Sequence, residues 1–129
     1  MPAGVFDFPI NQGETFYYKI QLFGENQDEV IDLTNFTAEM QIRKTANDNE
    51  ILVSPEIKIE DAKNGIISIF LSAEETAKLP CTGKYFNQYL DLVYDIYISS
   101  KGYEDKDYRI RILNGLIKVS PYVTRLKNG

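Results

Sequence analysis

The sequence predicts an all-β domain, and three observations carry the prediction. The run YFNQYLDLVYDIYISS, which starts at Tyr85, sets Leu90, Leu92, Tyr94, Ile96 and Ile98 on one parity and Asp91, Val93, Asp95 and Tyr97 on the other. An alternation of period 2 sustained that long is a strand with one buried face. After the polar link KGYEDKD, the segment YRIRILNGLIKVS again alternates Tyr108, Ile110 and Ile112 with Arg109 and Arg111, so two long strands form a hairpin. Tyr and Phe are abundant, and Ile, Val, Thr and Tyr gather in short runs, which is the composition of strands. In the second long strand the apolar parity is even up to Ile112 and odd at Ile117 and Val119. The slip is assigned to Asn114-Gly115, where glycine tolerates the positive φ of a bulge, and a short, bent sheet edge is the expected result.

The earlier elements follow in order. AGVFDFPINQ is extended up to Phe8, because the residue before a proline avoids the helical region; it is a short edge strand or an arm over residues 1–12. Phe6 and Phe8 share a parity, and they either pack on the chain's own sandwich or anchor a neighbouring subunit. ETFYYKIQLF is a strand with Phe16, Tyr18, Ile20 and Leu22 inward and Tyr17, Lys19 and Gln21 outward. In VIDLTNFTAEMQIRK, helix-forming residue types compete with a strict alternation of Phe36, Ala38, Met40 and Ile42 against Thr37, Glu39, Gln41 and Arg43, and the alternation decides for strand. ILVSPEIKIEDAKNG holds two short strands split by Pro55, which belongs at an edge or a turn because it donates nothing to a ladder. Asn64-Gly65 marks a tight turn into a strand from Ile66 to Leu71, whose near-continuous apolar run suggests burial on both faces. SAEETAKLP then carries Ser72 and Glu75 in a capping box and Pro80 as a stop, so one or two helical turns cross between sheets. The tail from residue 126 is expected to fray.

A chain of 129 residues fits one domain that buries about two-thirds of its unfolded surface without a metal or disulfide staple. The sandwich is expected over residues 13–125. Histidine is absent, which removes Ser-His-Asp and Cys-His catalysis and nearly all zinc sites. The single cysteine, Cys81, has no internal partner and no histidine to activate it, and reads as a half-buried loop thiol. No apolar run approaches a membrane span, and the first residues lack a basic start and an apolar signal core, so the expectation is a soluble protein made in a reducing cytoplasm, with no membrane partner. A net charge of −5 argues against nucleic acid, which needs a basic footprint.

Carboxylates are the remaining candidates for chemistry. Asp91 and Asp95 point the same way from one strand but stand about 13 Å apart by strand rise, too far to share an ion. They read as cross-strand partners of Arg109 and Arg111 on a solvated face. Asp28 and Glu29 lie in a turn, and the group Glu104, Asp105 and Asp107 lacks the spacing of a dedicated calcium loop. No glycine-rich phosphate loop occurs. A glycosidase built on two carboxylates needs no histidine and stays open by residue inventory, although sugar clefts usually use Trp platforms and this chain has no Trp. No catalytic residue, metal ligand or cofactor is assigned, and an enzyme is the last of the expectations. Tyr17 and Tyr97, outward by parity, are either interface residues or cross-strand pairs that stabilise the sheet.

The order GETFYYKIQLFG, IDLTNFTAEMQIRK, NGIISIFLSAEETAKLP, YLDLVYDIYIS and RILNGLIKVSPYVTR resembles the immunoglobulin-like domain at the N-terminus of tailed-bacteriophage baseplate upper proteins, and small proteins encoded among phage structural genes. The resemblance covers residues 12 to 125. It departs from the family pattern at Asn35, where a turn glycine is usual, and at Gln88 to Asp91, which lengthens the step into the long strand and can alter a surface used for attachment. It implies an immunoglobulin-like β-sandwich of about seven to nine strands with one short crossover helix. It also implies a virion structural role in the tail, baseplate or fibre region, with other virion proteins and further copies of itself as partners. A capsid decoration or neck protein is the alternative within that class. A carbohydrate- or host-surface-binding module is the alternative outside it, and predicts Tyr beside Asp or Asn in a concave patch. The residues expected at partner contacts are Phe6, Phe8, Tyr17, Tyr97 and Tyr122.

Overall fold

A computed structural model describes residues 3–24, 28–101 and 107–127. The chain is all-β: eight strands in two packed sheets, with one short helix, among those residues. The strands are β1 (Gly4–Val5), β2 (Phe8–Asn11), β3 (Phe16–Gln21), β4 (Thr37–Arg43), β5 (Glu56–Asp61), β6 (Ile66–Leu71), β7 (Leu90–Lys101) and β8 (Asp107–Ser120), and the helix α1 (Ala73–Ala77) lies between β6 and β7. The larger sheet runs β1-β8-β7-β4, with β2 continuing on the same side of β8 as β1; the smaller runs β3-β6-β5. Among the described residues only β1 and β2 pair in parallel, both with β8.

The core is the set of residues that the alternation selects. Leu92, Tyr94, Ile96 and Ile98 of β7 are buried, and meet Met40 and Ile42 of β4, Ile67, Ile69 and Leu71 of β6, and Ile117 and Val119 of β8. Every second residue is swept from water, and each fully buried aliphatic side chain stabilises the fold by about 1.5–3 kcal/mol. The helix starts where the capping box places it. Ser72 Oγ accepts the Glu75 amide at 3.1 Å, and Glu75 Oε1 accepts the Ser72 amide at 3.0 Å. It carries the chain from the small sheet to the large one, as expected.

Several expectations are corrected. Residues 4–11, set apart as part of an arm, are integral to the large sheet and put Phe8 and Ile10 into the core. β7 begins at Leu90 rather than Tyr85, since its partner β8 ends at Ser120 and residues 85–89 turn instead. The parity slip in β8 falls at Ile112: Ile96 pairs with Leu113 while Tyr97 pairs with Arg111. Gly115 does not have a positive φ. β8 is a 14-residue strand inside the sheet, not a shortened edge. Ahead of Pro55 only an isolated bridge forms, Ile42 to Val53. On the outer face of β6, Ser68 is buried and donates to Glu60 Oε1 at 2.7 Å, but Phe70 is exposed, because only the inner face of the small sheet packs on the large one. Glu104 and Asp105 lie outside the described residues, as do the last two residues of the tail; Asp107 pairs with Lys101 at 3.2 Å.

Candidate interaction surface

The first site lies on the side of the sandwich where β1 and β2 edge the large sheet and β3 edges the small one. The ladder to β8 is interrupted at Phe6 and Asp7 without a change of register, since Val5 pairs with Asn114 and Phe8 with Ile117. The interruption is held by three hydrogen bonds. The Phe6 amide donates to Asn114 O at 3.0 Å, the Leu116 amide to Asp7 Oδ1 at 2.9 Å, and the Tyr94 hydroxyl to Phe6 O at 2.5 Å. Phe6 O lies directly over Gly115, where a Cβ would collide with it. Glycine is required there for close approach of a backbone. Burial, and secondarily the charge of Asp7, hold the Tyr94 phenol well above its ordinary pKa.

Phe8 is the centre of an aromatic cluster on this side. Its ring lies 4.9 Å from Phe6, 5.1 Å from Tyr18, 5.2 Å from Tyr94 and 5.7 Å from Phe16, mostly edge to face, the favoured geometry for aromatic pairs. Phe8 is 0% exposed, so its expected role as a partner contact is withdrawn: the chain's own core consumes the side chain. Phe6 and Tyr18 form the exposed rim.

The other expected contacts do not converge. Tyr17 is exposed on the outer face of the small sheet, in register with Phe70. Tyr97 is half-buried on the outer face of the large sheet, where the Arg109 guanidinium sits 3.8 Å from its ring centroid. Tyr122 is half-buried against Gly13 at the helix-bearing end, with Arg125 5.9 Å from its ring.

The large sheet's outer face is laced by ion pairs. Arg109 Nη2 meets Glu39 Oε1 at 2.8 Å, Lys118 meets Asp91 at 3.5 Å and Arg111 meets Asp95 at 4.0 Å. The two aspartates are therefore cross-strand partners, while Arg109 chooses Glu39 across β7. Its hydrogen bond to Glu39 raises the Arg109 pKa further.

One surface was missed in the sequence. Tyr85, Phe86 and Tyr89 are 64%, 71% and 52% exposed on the turn before β7. The turn is built by side chains as much as by backbone: the Lys84 amide donates to Gln88 Oε1 at 2.7 Å, Ser120 Oγ to Phe86 O at 2.6 Å, and the Gln88 amide to Tyr85 O at 2.9 Å. The available signal was the run of aromatics before Leu90 that falls outside the period-2 alternation. Comparison of the chain with known protein families and with curated proteins finds no match in either.

Proposed function

We propose that this chain is a non-catalytic assembly module with an immunoglobulin-like fold, a structural part of a tailed-bacteriophage virion in the tail, baseplate or fibre region. The exposed aromatic turn carries the reading. Three large aromatics held in water on a hydrogen-bonded turn lose hydration cost when a protein covers them, and aromatic residues are enriched at interface cores. The turn adjoins the place where the chain departs from the phage pattern it resembles. Fold attribution is supported by strand order: β3-β6-β5 against β8-β7-β4 corresponds to the B-E-D and G-F-C strands of the immunoglobulin sandwich. The virion setting rests on the motif resemblance.

Glycan binding is the weaker reading. The open depression on the large sheet does combine Tyr97 with Asp95 and Asn114. However, the Arg109 guanidinium already lies over the Tyr97 ring, covering a face on which a sugar would stack. The decisive experiment is mass spectrometry of density-purified particles from a lysate of the phage that encodes the chain. Stoichiometric presence is expected, with loss of incorporation when Tyr85, Phe86 and Tyr89 are replaced by serine. Complete, infectious particles lacking the chain would overturn the proposal.

A further inference from the structure

Among the described residues the sandwich has four strand edges, and three of them are protected. β1 and β2 are two and four residues long, separated at Phe6 and Asp7, and Pro9 offers no N–H. β4 is engaged by Val53, whose carbonyl accepts the Ile42 amide at 2.9 Å. β5 follows Pro55, carries Glu56, Lys58 and Glu60, and shifts register between Ile59 and Asp61. Short length, proline, charge and bulges are the devices by which sheet edges avoid pairing.

β3 has almost none of them. Its six residues hold an unbroken register with β6, from Phe16 opposite Leu71 to Gln21 opposite Ile66. The Leu22 amide donates to Gly65 O at 2.8 Å at the end of this ladder. By the alternation of an antiparallel pair, Phe16, Tyr18 and Ile20 then bond β6, and Tyr17, Lys19 and Gln21 turn their N–H and C=O to the outside. Among the described residues no backbone group takes them up. The N-terminal strands, which would fill this position if they joined the small sheet, pair with β8 instead.

We infer that the edge of β3 receives an extended segment of a partner protein as a fourth strand of the small sheet. The edge also states the chemistry of that segment. Residues opposite Tyr18 and Ile20 point inward, towards the exposed rim of Phe6 and Tyr18, and must be apolar. The residue facing Lys19 points outward and must be acidic: Lys19 stands in register with Ser68 and Lys58, and no carboxylate lies within ion-pair reach of it among the described residues. Lysine opposite lysine also disfavours pairing of this edge with its own copy at that register. Main-chain hydrogen bonds supply affinity in such an addition, and alternate side chains supply specificity. The inference deepens the assembly reading and takes its biological setting from it.

The test uses the purified chain and a blocked heptapeptide with valine at its second, fourth and sixth positions and glutamate at its third, beside a twin with lysine there. Amide chemical-shift mapping should place the glutamate peptide on Tyr17, Lys19 and Gln21. It should bind about two- to fivefold more tightly than the twin, the effect of one cross-strand charge pair. Lys19→Glu should reverse the preference. Lys19→Pro removes an outward N–H and no internal bond, so it should abolish binding while the unfolding midpoint shows the fold intact. Absence of binding by either peptide at millimolar concentration, equal affinities, or shifts on β1, β4 or β5 would overturn the inference. None of these outcomes bears on whether the chain is found in particles.

Discussion

Replacing Gly115 by alanine isolates the device that ties the N-terminal strands to the sheet. A Cβ at Gly115 meets the carbonyl of Phe6, so the variant has two ways to respond. It can keep the contact and absorb the overlap by shifting backbone, at a cost of about 1–3 kcal/mol. Alternatively it can release residues 4–7, losing the bonds from Phe6 to Asn114, from Leu116 to Asp7 and from Tyr94 to Phe6, each worth about 1 kcal/mol. The cheaper route governs, so the expected destabilisation is about 1–3 kcal/mol. Urea unfolding followed by far-ultraviolet circular dichroism reads this as a midpoint lowered by roughly 0.5–1.5 M for a slope of about 2 kcal/mol/M. Hydrogen exchange should show faster exchange at Leu116, whose amide partner is Asp7. A midpoint within about 0.2 M of the parent, with Leu116 still protected, would refute the close-approach account.

Two further outcomes follow from the same region. Phe8→Ala removes the ring around which four other aromatics pack and should cost about 3–5 kcal/mol by urea titration; a loss under about 1.5 kcal/mol would mean that the aromatic side closes without it. The Tyr94 phenol has its folded pKa raised, so its contribution is fully present below the unfolded value near 10. Above that pH the unfolded chain releases this proton first, and stability should fall with a slope of up to about 1.4 kcal/mol per pH unit from this group. Tyr94→Phe should flatten the decline; an unchanged slope would show that Tyr94 is not the titrating group.

The strands were legible wherever one face meets the core, because burial imposes period 2 directly on the residue order. That holds for β3, β4, β7 and the first half of β8, while β6 was legible from its apolar run and the helix from a capping box written in four consecutive residues. The contact residues were less legible. Phe6 and Phe8 share a parity, yet one is at the rim and the other at the centre of the aromatic cluster, a difference set by β3 and Tyr94 lying alongside. Tyr97 was correctly outward but sits beneath Arg109, which reaches it from the neighbouring strand. Tyr85, Phe86 and Tyr89 read as the start of a strand because their own composition favours one. They turn because β8 ends at Ser120, opposite Tyr89 in this register, and leaves the residues before it no ladder to join.

By itself the sequence determined the all-β class, the strand spacing, the inward set of aliphatic residues and the crossover helix, all of which depend on neighbours within a few positions. Only the tertiary structure decided that the first strands join β8 rather than β3, that Gly115 serves close approach rather than a positive φ, that the bulge sits at Ile112, and that β3 is left with an unpaired edge. The bulge is settled within the β7–β8 hairpin; the placing of the first strands is settled between segments about a hundred residues apart, where one carbonyl, one hydroxyl and one missing side chain meet, and no local periodicity encodes such a meeting.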